Sequence, residues 1–282
     1  MLCVVTFWEN IKREKVIILT ILSFILLGLF CWLCSKKTED FGLNFFTEML
    51  GVAITVFIID RLIKNREERR NIPQKLAAYE DVRLYTSRYI SFWTTTYRDS
   101  VPEDEPETIE LFFSDSGMGK ILHHLYMDSE PNVTPTRKWW DWILHNAKEF
   151  KENGDKLLDR HSHNLDPIAF GYIHQLTESL FNKTLLMSSS IRQSDIQMGI
   201  PRVKTLGSYA MSPQKEDYEA IIGLVKWSNE TYVSLKKYSN SIKKVAEYTP
   251  MKNRKTPPKC MIPKEILIQQ LKELEEFRQR NK

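Results

Sequence analysis

The chain has 282 residues, with 40 Lys and Arg against 36 Asp and Glu and a formal net charge of +4. So small an excess excludes a surface that is basic throughout, and any preference for a polyanion must be local. Of the four cysteines, Cys31 and Cys34 form a C-x-x-C while Cys3 and Cys260 stand alone, and no second pair exists to close a zinc site. The C-x-x-C reads either as small apolar filler or as a redox pair or intersubunit disulfide.

Two apolar segments open the chain. The first, 16–34, carries no charge; the second, 41–63, carries one carboxylate, Glu48, inside its apolar stretch. A helix needs ~20 apolar residues to cross a ~30 Å hydrocarbon core, so both read as transmembrane helices joined by a turn at 35–40. The run after Lys12, Arg13 and Lys15 exceeds a ~7–15-residue signal core and ends in Phe, Trp and Cys, so it reads as retained. Those three basic residues, with Arg61, Lys64, Arg66, Arg69 and Arg70 at and beyond the end of the second span, outweigh Lys36 and Lys37 in the turn. The asymmetry places both termini, including residues 1–15, in the cytoplasm. Trp8 and Trp32 stand near the ends of the first span, where aromatic rings favour the interface.

Glu48 shares a helical face with Gly51, Val52, Thr55 and Ile59. An ionisable residue in a span turns toward protein or water, and Gly51 with Thr55 gives a small-xxx-small spacing that permits close helix contact. One reading is an oligomer seam with a polar element, lining a pore. The other is a carboxylate that bonds Asn44, Thr47 or the turn and packs the hairpin.

Residues 64–282 are long enough for one sizeable helical domain or two small ones. The pattern predicts that the second span continues to about Arg70 and breaks at Asn71-Ile72-Pro73. A helix then runs from Pro73 to about Arg98, with Leu76, Tyr79, Val82, Tyr85, Tyr89 and Phe92 on one face. Next come an acidic loop (Glu103, Asp104, Glu105, Glu107) and a stretch from Ile109 to Met127 interrupted by Gly117 and Gly119, with a strand or two allowed near 108–113. Helices follow over 137–160 and 166–190, then a loop over 192–212 and a long helix from Pro213 to about Tyr248. A basic, proline-rich linker (249–262) leads to a final helix at 263–281. The fold class is all-α, an N-terminal two-helix transmembrane hairpin followed by a helical cytoplasmic domain.

Catalytic and metal signatures are weak. Ser116-Gly117-Met118-Gly119-Lys120 lacks the first glycine and the final Ser/Thr of a phosphate loop and reads as a helix break. His123-His124 and His161-x-His163 lack convergent further ligands and read as surface or helix-end histidines. There is no G-x-S-x-G nucleophile and no paired Cys–His signature, so no catalytic residue, metal or cofactor is assigned. The sequons at Asn132, Asn182 and Asn229 carry no meaning on the cytoplasmic side.

One stretch is strongly basic: Lys236, Lys237, Lys243, Lys244, Lys252, Arg254, Lys255 and Lys259, with Tyr238 and Tyr248 interleaved. It reads as a nucleic-acid surface with tyrosines for base stacking, as a site for anionic lipid headgroups, or as a solvated face. On the last helix Leu267, Leu271 and Leu274 form an apolar edge for a partner.

The run from Leu50 through Gly51, Val52, Ala53, Ile54, Thr55 and Val56 to Leu62, preceded by Phe46-Thr47-Glu48, resembles the second span of small bacterial membrane proteins. Among these are the two-span effectors encoded beside retron reverse transcriptases in anti-phage defence. The overall plan is similar to theirs, over about a quarter of the chain. The resemblance implies a multi-pass toxin of the bacterial inner membrane with a periplasmic turn at 35–40. A reverse transcriptase and its DNA–RNA hybrid would hold it inactive, and its release would disrupt the membrane in abortive infection. The alternative is a membrane-anchored scaffold or receptor that binds a cytoplasmic protein. A homo-oligomer and the lipid bilayer are the other expected partners.

Overall fold

The computed structural model describes residues 23–27, 29–30, 32–33, 39–254 and 256–280. The chain divides into two compact units, Met1–Ile72 and Pro73–Lys282. Among the described residues the regular structure is helical.

In the first unit, helical backbone is described at 23–27, 29–30 and 32–33, and helix α1 begins at Glu39. Phe24 lies edge-on to Phe45 with ring centroids 6.2 Å apart, and Trp32 stacks on Phe46 at 6.2 Å. Asp40–Ile63 is long and apolar enough to cross a membrane, and most of it is exposed. It is the one such helix among the described residues. The other expected span, 16–34, lies largely outside them. So do Cys3, Trp8, Lys12, Arg13, Lys15, Cys31, Cys34, Lys36 and Lys37.

Helix α1 is assigned over Glu39–Ser100, with Pro73 inside it. The expected break at Asn71-Ile72-Pro73 is therefore not a helix end. Proline removes one hydrogen bond and crowds the carbonyl four residues back, which bends a helix without ending it when packing fixes the turns that follow. Here the next turns enter a core: Tyr79, Val82, Tyr85, Ile90, Trp93 and Tyr97 are buried at three- and four-residue steps. Buried hydroxyls on the same helix return to carbonyls one turn back, as Thr86 does to Val82, Thr96 to Phe92 and Ser100 to Thr96.

Helices α2 (Ile109–Phe112) and α3 (Asp115–His124) replace the strand allowed near 108–113. The break between them falls at Phe113-Ser114, where the Ser114 hydroxyl accepts the Gly117 N–H at 3.3 Å and starts α3. Gly117 and Gly119, read as helix breakers, lie inside α3. A Cβ at Gly117 would collide with the Phe112 carbonyl, so this glycine serves the close approach of α2.

Helix α4 (Trp139–His161) matches its predicted span. The predicted 166–190 helix is two, α5 (Pro167–Glu178) and α6 (Leu180–Met198). Ser179 separates them, its hydroxyl taking the Asn182 N–H at 3.1 Å. Helix α6 runs past Arg192 and ends where Gly199 takes φ 64°, so the expected loop is shorter at its start. A short 3₁₀ turn, Leu206–Ser208, precedes α7 (Lys215–Leu235), and the chain closes with α8 (Lys264–Arg280). Helix α5 packs on α7 and α4, and α4 packs on α6. Trp93, Trp139, Trp140, Phe112 and Phe181 are fully buried in the resulting core.

The predicted helix to Tyr248 stops at Leu235. Residues 236–254 and 256–262 form an irregular strap over the domain rather than a helix and a free linker. Tyr79 donates from its hydroxyl to the Lys243 carbonyl at 2.7 Å, and Val245 is buried. The Met251 N–H reaches Glu105 Oε2 at 2.6 Å, and the Cys260 N–H reaches the Asp99 carbonyl at 2.8 Å. Cys260 is a free, buried thiol. The isolated β-bridges among the described residues centre on Leu125–Met127. Leu125 bridges Met261 and Tyr126 bridges Thr205, both antiparallel.

Candidate functional site

Glu48, Gly51, Val52, Thr55 and Ile59 are all exposed along α1. The Thr47 hydroxyl donates to the carbonyls of Leu43 and Asn44, each at 2.9 Å, and so is not engaged with Glu48. Among the described residues Glu48 has no hydrogen bond or ion pair, which removes the reading in which it bonds Asn44 or Thr47. A Cβ added at Gly51 meets nothing within 4 Å, so the small-residue notch is open.

The basic stretch divides into two parts with different chemistry. Lys252 pairs with Glu107 at 2.9 Å, and the Arg254 guanidinium donates to the carbonyls of Arg98 and Val101. These cations hold the strap against the acidic loop. Lys259 is exposed near Asp99, and Lys255 lies outside the described residues. Asp99 has its carboxyl pushed up by burial, against the opposing pull of Arg254 and Lys259.

The other part is unoccupied by carboxylates. Lys236, Lys237, Lys243 and Lys244 are exposed, and none forms an ion pair with a described residue. Lys236 and Lys244 both reach the Tyr232 ring, at 5.6 and 5.5 Å from its centroid, while Lys237 sits 4.7 Å from the Tyr238 centroid. The segment is fixed from below by Tyr79, whose phenol is pushed up to about 12 by burial and whose ring lies 6.4 Å from Trp227.

The two stacking candidates part company. Tyr238 is exposed; Tyr248 packs on Phe112 and bonds the Pro106 carbonyl, so it offers no free face. The partner edge on α8 is also corrected. Leu267 and Leu274 are half-buried, and the Gln270 side-chain oxygen accepts the Lys204 N–H at 3.0 Å on the same side. Leu271, with its neighbour Ile268, faces outward. The three leucines therefore do not make one exposed edge.

Two features escaped the sequence. His161, read as surface or helix-end, is a buried helix-end residue whose Nε2 lies 2.8 Å from Asp81 Oδ2. A cleft of about 400 Å³ lies between α1 and α4, with Phe92, Thr95, Asp99, Trp142 and Phe150 on its walls. Its signal was the polar row Ser91, Thr95, Asp99 at four-residue spacing along α1. No His, Cys, Asp and Glu cluster able to hold a metal is found among the described residues. No protein-family model, curated protein or solved structure matches the chain.

Proposed function

We propose that the chain is a multi-pass, membrane-anchored effector that assembles through α1 and perturbs the bilayer when released by a partner. The observation that carries this reading is Glu48, a carboxylate with no partner among the described residues, on an exposed helix long enough to span. A charge at the centre of a bilayer costs ~2.5–3.5 kcal/mol on insertion scales, and less nearer its edge, so the carboxylate favours cover by a second copy or by water. Gly51 and Thr55 beside it permit that second copy to approach. The first segment, through Phe24 and Trp32, packs against the start of α1 and completes an inner-membrane hairpin. The controlling partner is a reverse transcriptase with its DNA–RNA hybrid, and the setting is anti-phage defence.

Induced expression with a membrane-potential dye tests the reading. Depolarisation is expected from the wild type without its partner, and its loss in both Glu48→Ala and Gly51→Ile at equal membrane abundance. Unchanged killing and dye entry in both variants overturns it. Alkaline phosphatase fused after Lys282 is expected to be inactive, since the basic flanks keep that end inside. The exposed Ile268 and Leu271 on α8 favour a second reading, a membrane-anchored scaffold whose domain binds a cytoplasmic protein. That protein would co-purify with an inert, non-depolarising chain.

A further inference from the structure

We propose that Lys236, Lys237, Lys243 and Lys244 dock the domain on the anionic headgroups of a phospholipid surface. The inference rests on the anchorage proposed above. The helical unit begins at Pro73, and Tyr79, only six residues on, is the side chain that holds Lys243. The lysines thus gather at the end of the domain where the chain comes in from the membrane-spanning stretch. That end is tethered to the bilayer by residues 64–72, whichever way the domain turns.

Three observations favour a lipid surface over a nucleic acid. The cations are lysines, compact point charges without the planar fork that grips a single phosphate or base edge. Apolar groups stand among them: Val233 is 70% exposed and Tyr238 47%, the mixture that buries side chains at a headgroup boundary while ammoniums stay outside. The aromatic platforms that base stacking needs are few: Tyr248 is packed inside the domain, Tyr232 carries two lysines, and the exposed Tyr238 stands alone with one lysine beside it. A cytoplasmic leaflet attracts such a cluster through its negative surface potential, over a distance of about one Debye length.

The test uses the full chain in vesicles of phosphatidylcholine, with and without phosphatidylglycerol. Brief acetylation followed by mass spectrometry reads each lysine. Acetylation of the four lysines should fall several-fold when phosphatidylglycerol is present and recover in high salt. Lys215, at the opposite end of α7, should be unaffected. Equal acetylation of the four in both vesicles overturns the proposal. So does stronger protection by a DNA–RNA hybrid than by phosphatidylglycerol at equal phosphate concentration, which would make the surface a nucleic-acid site. Alkaline carbonate extraction reads anchorage independently. A chain that carbonate strips from the vesicles ends the anchorage reading, while salt-sensitive protection by phosphatidylglycerol would still support the lipid surface.

Discussion

The ring of Tyr248 rests against that of Phe112, centroids 5.7 Å apart, and its hydroxyl donates to the Pro106 carbonyl at 2.9 Å. One side chain thereby joins the strap to both α2 and the acidic loop. Burial raises the phenol's pKa, as a neutral donor in such a place requires. Tyr248→Phe should cost about 1 kcal/mol, the worth of one hydrogen bond. Tyr248→Ala should cost about 2–3 kcal/mol through lost ring packing. Denaturant unfolding of the full chain in detergent, followed by tryptophan fluorescence, separates the two. Equal loss in both variants would mean that the ring contact contributes nothing.

Glu105 is a second clasp. Its side chain is 2% exposed, accepts from Arg98 at 2.6 and 3.1 Å, and takes the Met251 N–H. Its carboxylate also raises the Arg98 pKa through those hydrogen bonds. Glu105→Ala should destabilise by about 2–3 kcal/mol, less than a wholly buried pair because Arg98 is about a third exposed. Trypsin should then cut after Lys252 and Arg254 faster than in the wild type. Unchanged cleavage there would show that the strap is held without this carboxylate.

Acid should weaken the domain in two stages. Burial lowers the His124 pKa, with His123 and Lys120 adding and Glu103 opposing. The unfolded chain then binds the proton more readily, so stability falls as pH drops through about 6.5 toward the folded value. Burial alone would raise the Asp128 carboxyl. The Lys204 hydrogen bond, the Trp140 indole and the Lys204 charge outweigh it and leave it lowered. Its contribution is present above about pH 4 and is lost as pH falls through the folded value. His124→Gln should flatten the first stage and Asp128→Asn the second, read as unfolding midpoint against pH.

The two glycines of the 116–120 run should respond oppositely. A methyl group at Gly119 would meet nothing within 4 Å, and the residue lies inside α3, so Gly119→Ala should stabilise by about 0.5–1 kcal/mol. Gly117→Ala forces a methyl onto the Phe112 backbone and should cost about 1–3 kcal/mol. Thermal unfolding of both variants checks the pair. A stabilising Gly117→Ala would mean that α2 can move away.

Helix positions were legible where an apolar period lies between strong caps. The face of Tyr79, Val82 and Tyr85 was read correctly, and Asp166-Pro167 starts α5 as expected, with Asp166 accepting the Ile168 N–H. Ends set by tertiary capture were not legible. Residues 236–248 carry helix-tolerant lysines and alanine, and only Ser239-Asn240-Ser241, where the Ser239 hydroxyl accepts the Ser241 N–H, marks locally the strap that Tyr79 and Phe112 hold. Ser179 divides two helices with one hydroxyl and neither Gly nor Pro to mark it. The lysine cluster was visible as composition, but its separation from Lys252 and Arg254 depends on the fold of the acidic loop.

At Leu125–Met127 three distant pieces of backbone lie side by side. The Tyr126 N–H meets the Cys260 carbonyl, the Met127 N–H meets the Lys204 carbonyl, and the Ile262 N–H returns to His124. The ribosome delivers these pieces at widely separated times, and contacts of such sequence separation form late. The apolar stretch Asp40–Ile63, by contrast, emerges ahead of all three. Synthesis therefore completes this apolar helix well before the domain can close around Leu125. A chain halted short of Met261 would present its tryptophan-rich interior to proteases while its long apolar helix is already whole.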